Sequence, residues 1–268
     1  MISIGLGRHE QQRRQGYVLR AVLRSWIPRR HRARLQALLR RIRGVPLRGR
    51  SVVCPCCQHS FSRFLAHGRP PRLNAMCPHC GALERHRFLW LYLQREKEIL
   101  TKPPWLLHVA PEPAIRALLK GIPGLRYITV DRSAETVAIH CDVQALPLGD
   151  AAVSAIICYH VLEHVANDRQ AMRELHRVLQ PGGWAVFEVP IRVSERCTDE
   201  APEITDPGER FRRFGQEDHV RWYGMDFFSR LSEAGFCVAV KRYDDLMPAE
   251  LIARHALWKD GLVAVCSR

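Results

Sequence analysis

Residues 141–190 read CDVQALPLGDAAVSAIICYHVLEHVANDRQAMRELHRVLQPGGWAVFEVP, and the pattern is strand, helix, strand. Val153 to Cys158 form an almost continuous apolar run, as expected of a strand buried on both faces. Asn167 or Asp168 caps a helix whose Ala171, Met172, Leu175, Val178 and Leu179 fall at helical spacing, and Pro181-Gly182-Gly183 ends it. Trp184 to Val189 then returns as a second buried strand. Such a unit is a right-handed crossover, and ligands of these sheets sit beyond the carboxyl ends of the strands. Tyr159, His160, Glu163 and His164 follow the first strand end, and Glu188 and Pro190 lie at the second, so the chemistry is expected there.

Working towards the carboxyl terminus, a polar, proline-containing segment runs to Gln216. It precedes a helix around Asp226 to Ala234 and strands at Phe236 to Tyr243 and Leu262 to Cys266. Towards the amino terminus, Trp105 to Ala110 reads as a strand, Pro113 to Lys120 as a short helix, and Tyr127 to Asp131 as a strand ending on an acid. Val137 to Asp142 follows too soon for a full helical crossover, so the helix usual at that point is missing or reduced. Strand and helix alternate throughout, which predicts a doubly wound α/β domain.

Residues 51–82 have a different character. Cys54-Pro-Cys56-Cys57 and Cys77-Pro-His79-Cys80 give two matched C-x-x-C pairs, the spacing of a closed four-cysteine zinc site made by Cys54, Cys57, Cys77 and Cys80. A redox pair explains the match less well, because one shared metal accounts for both pairs at once. Leu83 to Leu100, with Phe88, Leu89, Leu91, Tyr92 and Leu93, reads as a helix connecting this module to the main domain.

The formal charge of +14 is concentrated at one end. Residues 1–50 hold 14 arginines and one acid, Glu10, while the rest of the 268-residue chain is almost neutral. Val18, Leu19, Val22, Leu23, Trp26 and Ile27 form one helical stripe, and Leu35, Leu38, Leu39 and Ile42 a second. A basic arm on a neutral body fits attachment to RNA or an anionic membrane surface, or simply a solvated helix pair. No apolar run is long enough for a transmembrane segment and no secretory signal core is evident, so a cytoplasmic protein is expected.

The order of signals over residues 105–268 resembles class I S-adenosylmethionine-dependent methyltransferases of the type 11 group. The motifs that carry the likeness are LPLGDAAVSAIICYHVLEHV and MRELHRVLQPGGWAVFEVP, with DHVRWYGMDFFSRLSEAGF similar to that family's closing helix and strand. The resemblance implies a mostly parallel seven-stranded α/β methyltransferase sheet over 105–268. Before it come a basic helical arm over 1–50, a zinc module over 51–82 and a connecting helix over 83–104. By position, Asp131 binds the ribose hydroxyls of the cofactor, Asp142 with Val143 holds the adenine edge, and Tyr159 and His160 line the methionine end. The first loop departs from the family pattern, since His108-Val109-Ala110-Pro111-Glu112-Pro113 has two prolines and no glycine. His108, Ala110 and Glu112 are its expected cofactor contacts. Ser154 stands where the family usually places an acid. His160 and His164 are base candidates because an imidazole titrates near neutrality, with Glu163 beside them. With His219 they also resemble metal-dependent relatives that use Glu-x-x-Glu-His, although the first acid is a histidine here.

The leading expectation is methyl transfer from S-adenosylmethionine to an oxygen or nitrogen of a small-molecule or glycan-like acceptor. An RNA methyltransferase gripping phosphates with the arm and zinc module is the second. A non-catalytic zinc-ribbon adaptor on a degenerate methyltransferase fold is the third.

Overall fold

A computed structural model describes residues 29–68 and 70–268, with side chains from Arg34 onward. The stripe of Val18, Leu19, Val22, Leu23, Trp26 and Ile27, and most of the basic arm, lie outside the described residues. The first described helix, α1 (Arg29–Gly44), presents Leu35, Leu38, Leu39 and Ile42 as exposed side chains.

Two short antiparallel pairs follow, β1 (Arg48–Val53) with β2 (Ser60–Phe61) and β3 (Leu65–His67) with β4 (Arg72–Met76). The cysteine pairs sit in the turns after β1 and β4, around a small core of Val52, Cys54, Phe61, Phe64, Cys77 and Ala82. Helix α2 (Glu84–Arg95) leaves this module and ends short of the expected Leu100.

The main sheet is built from β5 (Trp105–Val109), helix α3 (Pro113–Lys120), β6 (Arg126–Asp131), β7 (Ile139–His140), β8 (Val153–Tyr159), helix α4 (Asp168–Val178) and β9 (Leu179–Glu188). A segment of β10 (Asp199–Glu200), α5 (Pro207–Phe214) and β11 (Arg221–Trp222) intervenes. It is followed by α6 (Phe227–Glu233), β12 (Cys237–Arg242), α7 (Tyr243–Leu246), α8 (Ala249–Arg254) and β13 (Leu262–Ser267). The order across the seven strands is β12-β13-β9-β8-β5-β6-β7. All neighbours are parallel except β13, which runs against both β9 and β12. The α/β sheet expected from the sequence is present, and residues 132–138 carry no helix between β6 and β7.

Sequence explains why the centre lies where it does. β8 is apolar at nearly every position because both of its edges are paired, with β5 and β9, and both of its faces are covered by helices. Asn167 caps α4 by accepting the Gln170 amide, and Ala171, Met172, Leu175 and Val178 turn inward. β9 begins at Leu179, ahead of the expected Trp184. Gly182 adopts φ 74°, and the Pro-Gly-Gly stretch is absorbed as an irregularity opposite Val153 and Ala155. One sheet face is covered by α4 and α6 through Met172, Leu175, Phe227 and Leu231. The other is covered by α2, α3 and α7 through Phe88, Leu89, Leu93, Ile115, Leu119 and Tyr243. Helix α2 is thus part of the sandwich, which places the cysteine module's exit against the sheet.

Candidate active site

The chain leaves β5 towards β6 on one side and leaves β8 towards β9 on the other, so the sheet changes winding direction between β5 and β8. Their carboxyl ends are in register, Val109 beside Cys158, and a crevice at such a point is where ligands bind. Just beyond the register, Ala110 has φ 45° and His160 has φ 52°. Left-handed conformations are unfavourable for residues with a Cβ, and such strain gathers at functional sites. Each is pinned by a backbone bond: Ala110 N–H donates to Val130 O at 2.7 Å, and His160 N–H to Glu188 O at 2.8 Å. Alanine therefore takes the left-handed turn for which a glycine had been expected in the first loop.

In that first loop Glu112 occupies the cap position of α3, with Pro113 opening the helix. Its carboxylate lies 3.3 Å from His86 Nε2, 3.4 Å from His108 Nε2 and 3.9 Å from Arg85 Nε. His86 Nδ1 accepts the Leu83 N–H at 3.2 Å, which leaves the proton on Nε2, facing Glu112. Tyr127 OH lies 2.9 Å from His108 Nδ1 and holds that ring in place. Burial opposes the charge on Glu112, yet the two imidazoles hold its carboxyl well below the usual range. Burial keeps His86 neutral, lowering its pKa.

After β8, a 3-10 turn over Leu162–His164 carries the second group. His160 Nδ1 is 3.0 Å from Glu163 Oε1, and its Nε2 is 3.8 Å from Glu188 Oε1, while Tyr243 OH donates to Glu188 Oε2 at 2.7 Å. Burial and Arg85 work against a charge on His160, but Glu163 and Glu188 outweigh them and raise its pKa to about 9. His160 is therefore an imidazolium at neutral pH, the wrong protonation state for the base expected from its residue type. Glu163, only 1% exposed, has its pKa lowered: burial opposes its charge and His160 prevails. His164 is solvent-facing, with Nδ1 at 3.2 Å from Asp218 O, and its ring meets His219 edge-on at 4.7 Å. Donor atoms of Glu163, His164 and His219 all fall within 4.8 Å of one another.

This turn is held from behind by the segment that follows β9. Fully buried Arg221 donates to the carbonyls of Leu162 at 2.6 Å and Ala166 at 3.0 Å and to Glu200 at 3.0 Å. Val220 N–H donates to Glu163 O at 2.9 Å.

The remaining expected residues are distributed around these loops. Asp131 Oδ1 accepts the amides of Ser133 and Ala134 at 2.6 and 2.8 Å, and Asp142 Oδ1 accepts Gln144 N and Nε2 at 2.9 and 3.0 Å. In both, Oδ2 has no donor among the described residues. Cys141 N–H bonds Asp131 O at 3.2 Å, which brings the two acids to neighbouring strand ends, with Val143 buried alongside. Tyr159 does not join them above the sheet: it packs in the α2-facing core, its hydroxyl buried without a partner.

Seen together, the strand ends hold a concentration of buried, unpaired polar atoms. They are His86 Nε2, His108 Nε2, both Glu112 oxygens, Tyr159 OH, both Glu163 oxygens and His219 Nε2. Several lie within charge-pairing distance of one another but are not aligned as hydrogen bonds. Buried polar groups normally have partners, so the cluster suits a polar, charged ligand between the loops. Sequence reasoning placed Glu188 at a strand end beside the expected chemistry but missed Arg85, His86 and Tyr243. Arg85 and His86 lie in the helix expected over Leu83 to Leu100, and no local signal marks His86 as buried or Arg85 as turned towards Glu112.

In the four-cysteine module, Cys54 Sγ lies 3.6 Å from Cys80 Sγ and Cys57 Sγ 3.7 Å from Cys77 Sγ, and all four fall within 4.8 Å of one another. A tetrahedron with zinc–sulfur bonds of about 2.3 Å has edges of about 3.8 Å, so the sulfur set fits such an ion.

Comparison with known families adds to this geometry. Residues 116–187 match a family model described as a methyltransferase domain. Over those residues the chain resembles a methyltransferase domain. A stretch of 55 residues is 36% identical to a probable S-adenosylmethionine-dependent methyltransferase of Mycolicibacterium smegmatis, covering 20% of this chain and 21% of that protein. A stretch of 49 residues is 43% identical to an uncharacterized transposon protein of Streptomyces fradiae, covering 18% of this chain and 14% of that one. Among solved structures, an S-adenosylmethionine-dependent methyltransferase from Mesorhizobium loti superposes with a TM-score of 0.46 at 15% identity, over 68% of this chain and 98% of that one. The [4+2]-cyclase SpnF superposes with a TM-score of 0.47 at 14% identity, over 69% and 83%. Among the described residues no helix is long and apolar enough to cross a membrane.

Proposed function

We propose that the protein is an S-adenosylmethionine-dependent methyltransferase that modifies an oxygen or nitrogen atom of a small-molecule or glycan-like acceptor, with structural zinc in its four-cysteine site. The observation that carries this reading is the set of buried, unpaired carboxylates and imidazoles at the β5 and β8 ends of a sheet whose residues 116–187 match a methyltransferase domain. When bound, the cofactor supplies an electrophilic methyl group.

The chain's own residues do the rest. The Oδ2 atoms of Asp131 and Asp142 accept from the ribose and the adenine edge, with Val143 as the apolar wall. The first loop, through His108, Ala110 and Glu112, holds the polar end of the cofactor, and Tyr159 supports it from below. Alignment of two reactants, together with removal of the acceptor's proton, is what such a site must supply. His160, charged between Glu163 and Glu188, keeps both carboxylates ordered through charge attraction. His164, the exposed imidazole on the same turn, is the group placed to take a proton from an acceptor hydroxyl or amine.

Calorimetry of the zinc-loaded protein with S-adenosylhomocysteine tests the reading, and saturable binding is expected. Absence of binding overturns it. Asp131→Ala is expected to weaken binding by about tenfold or more, because a diol loses its acceptor; an unchanged affinity means the ribose lies elsewhere.

An RNA substrate is favoured by one further observation. Residues 11–83 contain 16 arginines and no acidic residue, so the cationic run continues through the metal module. Affinity for RNA that falls steeply with salt and disappears when residues 1–50 are deleted supports this second reading, and no affinity at low salt removes it.

A further inference from the structure

We infer that Arg85 and His86, on the helix that leaves the four-cysteine site, are positioning residues of the first loop: they hold Glu112, so the metal module completes the site that the sheet begins. The inference rests on the reading above in so far as that loop receives the cofactor.

The start of α2 cannot move independently of the cysteine turns. Cys77 N–H donates to Ala82 O at 2.9 Å and Gly81 N–H to Cys77 O at 3.0 Å, closing the second turn immediately before the helix. Arg87, with no exposed surface, then ties three parts of the chain together. Its guanidinium donates to Asn74 O at 3.2 Å, Ala75 O at 2.9 Å and Ala82 O at 2.9 Å in the module. It also donates to His255 O at 2.7 Å and Ala256 O at 2.6 Å after α8. A planar fork whose donors all meet carbonyls fixes orientation as well as position.

One residue before that clamp, His86 has its tautomer set by the Leu83 amide and directs Nε2–H at Glu112, with Arg85 beside it. Ala114, at the start of α3, packs against the module's small core. The segment from Ala110 to Ala114 is therefore confined between the metal module and β5, and the left-handed Ala110 sits inside this confinement. The charged and titratable groups within 4 Å of Glu112 are His86 and Arg85 from α2 and His108 from β5. Among the described residues, only α2 brings donors from outside the sheet. A module that were merely appended would leave the loop to His108 alone.

The test uses full-length, zinc-loaded wild type and the variants His86→Ala, His86→Gln and Arg85→Ala. Two quantities are read: affinity for S-adenosylhomocysteine by calorimetry, and hydrogen exchange of the Ala110 and Glu112 amides, with bound zinc measured for each protein. His86→Ala is expected to weaken binding about tenfold or more and to speed exchange of both amides, as loss of a supporting polar contact does around other sites. His86→Gln, which keeps an N–H of similar reach, is expected to recover most of the affinity, a rescue that a purely space-filling role would not give. Arg85→Ala, at a partly exposed position, is expected to weaken binding with zinc fully retained, and it decides the matter if His86→Ala loses its metal. Wild-type affinity and wild-type exchange in the zinc-loaded variants overturn the inference. If wild type itself fails to bind S-adenosylhomocysteine, the functional reading falls, and the exchange arm still shows whether Arg85 and His86 hold the loop.

Discussion

Two carboxylate–histidine groups stand side by side at the ends of β5 and β8, made of the same residue types, and they hold their protons in opposite ways. Glu112 faces two imidazoles, one of them locked neutral by a backbone amide, and is anchored from the metal module. Glu163 faces an imidazolium, His160, and is anchored from the segment after β9 through Arg221 and Val220. The comparison teaches that residue type does not decide the role of a histidine here. What decides it is whether its second nitrogen meets a donor, as in His86, or another carboxylate, as in His160.

The largest expected effect breaks the comparison on one side only. A structural zinc ion contributes on the order of 10 kcal/mol or more to the fold it closes, because its ligands have no preformed site in the unfolded chain. Chelation, or Cys77→Ser, is therefore expected to unfold residues 48–82 and release Glu112. The Glu163 turn, held by Arg221, should keep its amides protected. Segment-resolved hydrogen exchange distinguishes this from uniform unfolding, which would mean that the two anchors are not separate.

The next effect strikes the other anchor. Asp168 accepts from Tyr223 OH at 2.7 Å and from Arg230 Nη1 at 3.0 Å, with Arg221 Nε at 3.8 Å, all buried. Removing one partner of a buried ion group leaves uncompensated charge, at a cost of about 3–5 kcal/mol. Asp168→Ala should lower the urea midpoint accordingly and release the Glu163 turn before Glu112. A loss under about 1 kcal/mol would show that the arginines are satisfied by Glu200 and backbone carbonyls alone.

These anchors also explain what the sequence could and could not disclose. The Val153–Cys158 run, the Asn167 cap and the inward face of α4 were legible because strand burial, capping and helical periodicity are local. So were the cysteine pairs, whose spacing encodes a tetrahedron. Arg87, Arg221 and Arg230 were not legible, since their burial depends on carbonyls and acids far along the chain, such as His255 for Arg87. The segment after Pro190 hid helix α5 for a similar reason. Its start is fixed by Asp206 accepting the Glu209 amide and its end by Arg213 reaching back to Asp199, while Phe214 is its only fully buried residue. The roles of Asp131, Asp142 and Tyr159 came from resemblance, and affinity measurements must decide them.

Titration probes both sides at once. His160 has a folded pKa of about 9 against an ordinary 6.5, so its folded form binds the proton more tightly. The stability it contributes is complete below about pH 6.5 and is lost as pH rises towards 9, to the extent of about 3–4 kcal/mol at most. Glu112 behaves in the opposite sense. Its depressed pKa gives stability that is present above the ordinary carboxyl value and is lost as pH falls through the folded pKa. Urea unfolding across pH should therefore show a separate alkaline fall that disappears in His160→Gln while the acid limb persists. An alkaline fall unchanged in that variant would place the imidazolium elsewhere.

The smallest effect concerns the backbone. Ala110 adopts φ 45° where the loop leaves β5, and a glycine there would carry no Cβ penalty. Relief of the left-handed strain is worth about 1–2 kcal/mol, and the greater freedom of glycine in the unfolded chain offsets part of it, so Ala110→Gly should stabilise by about 0.5–1 kcal/mol. The same relief is not expected from His160→Gly, because that change also removes the charge shared by Glu163 and Glu188. A pair of thermal unfolding curves separates the two. If Ala110→Gly destabilises instead, the strain at Ala110 is not borne by the backbone alone, and its methyl group must itself be packed as part of the loop that the metal module and Glu112 hold in place.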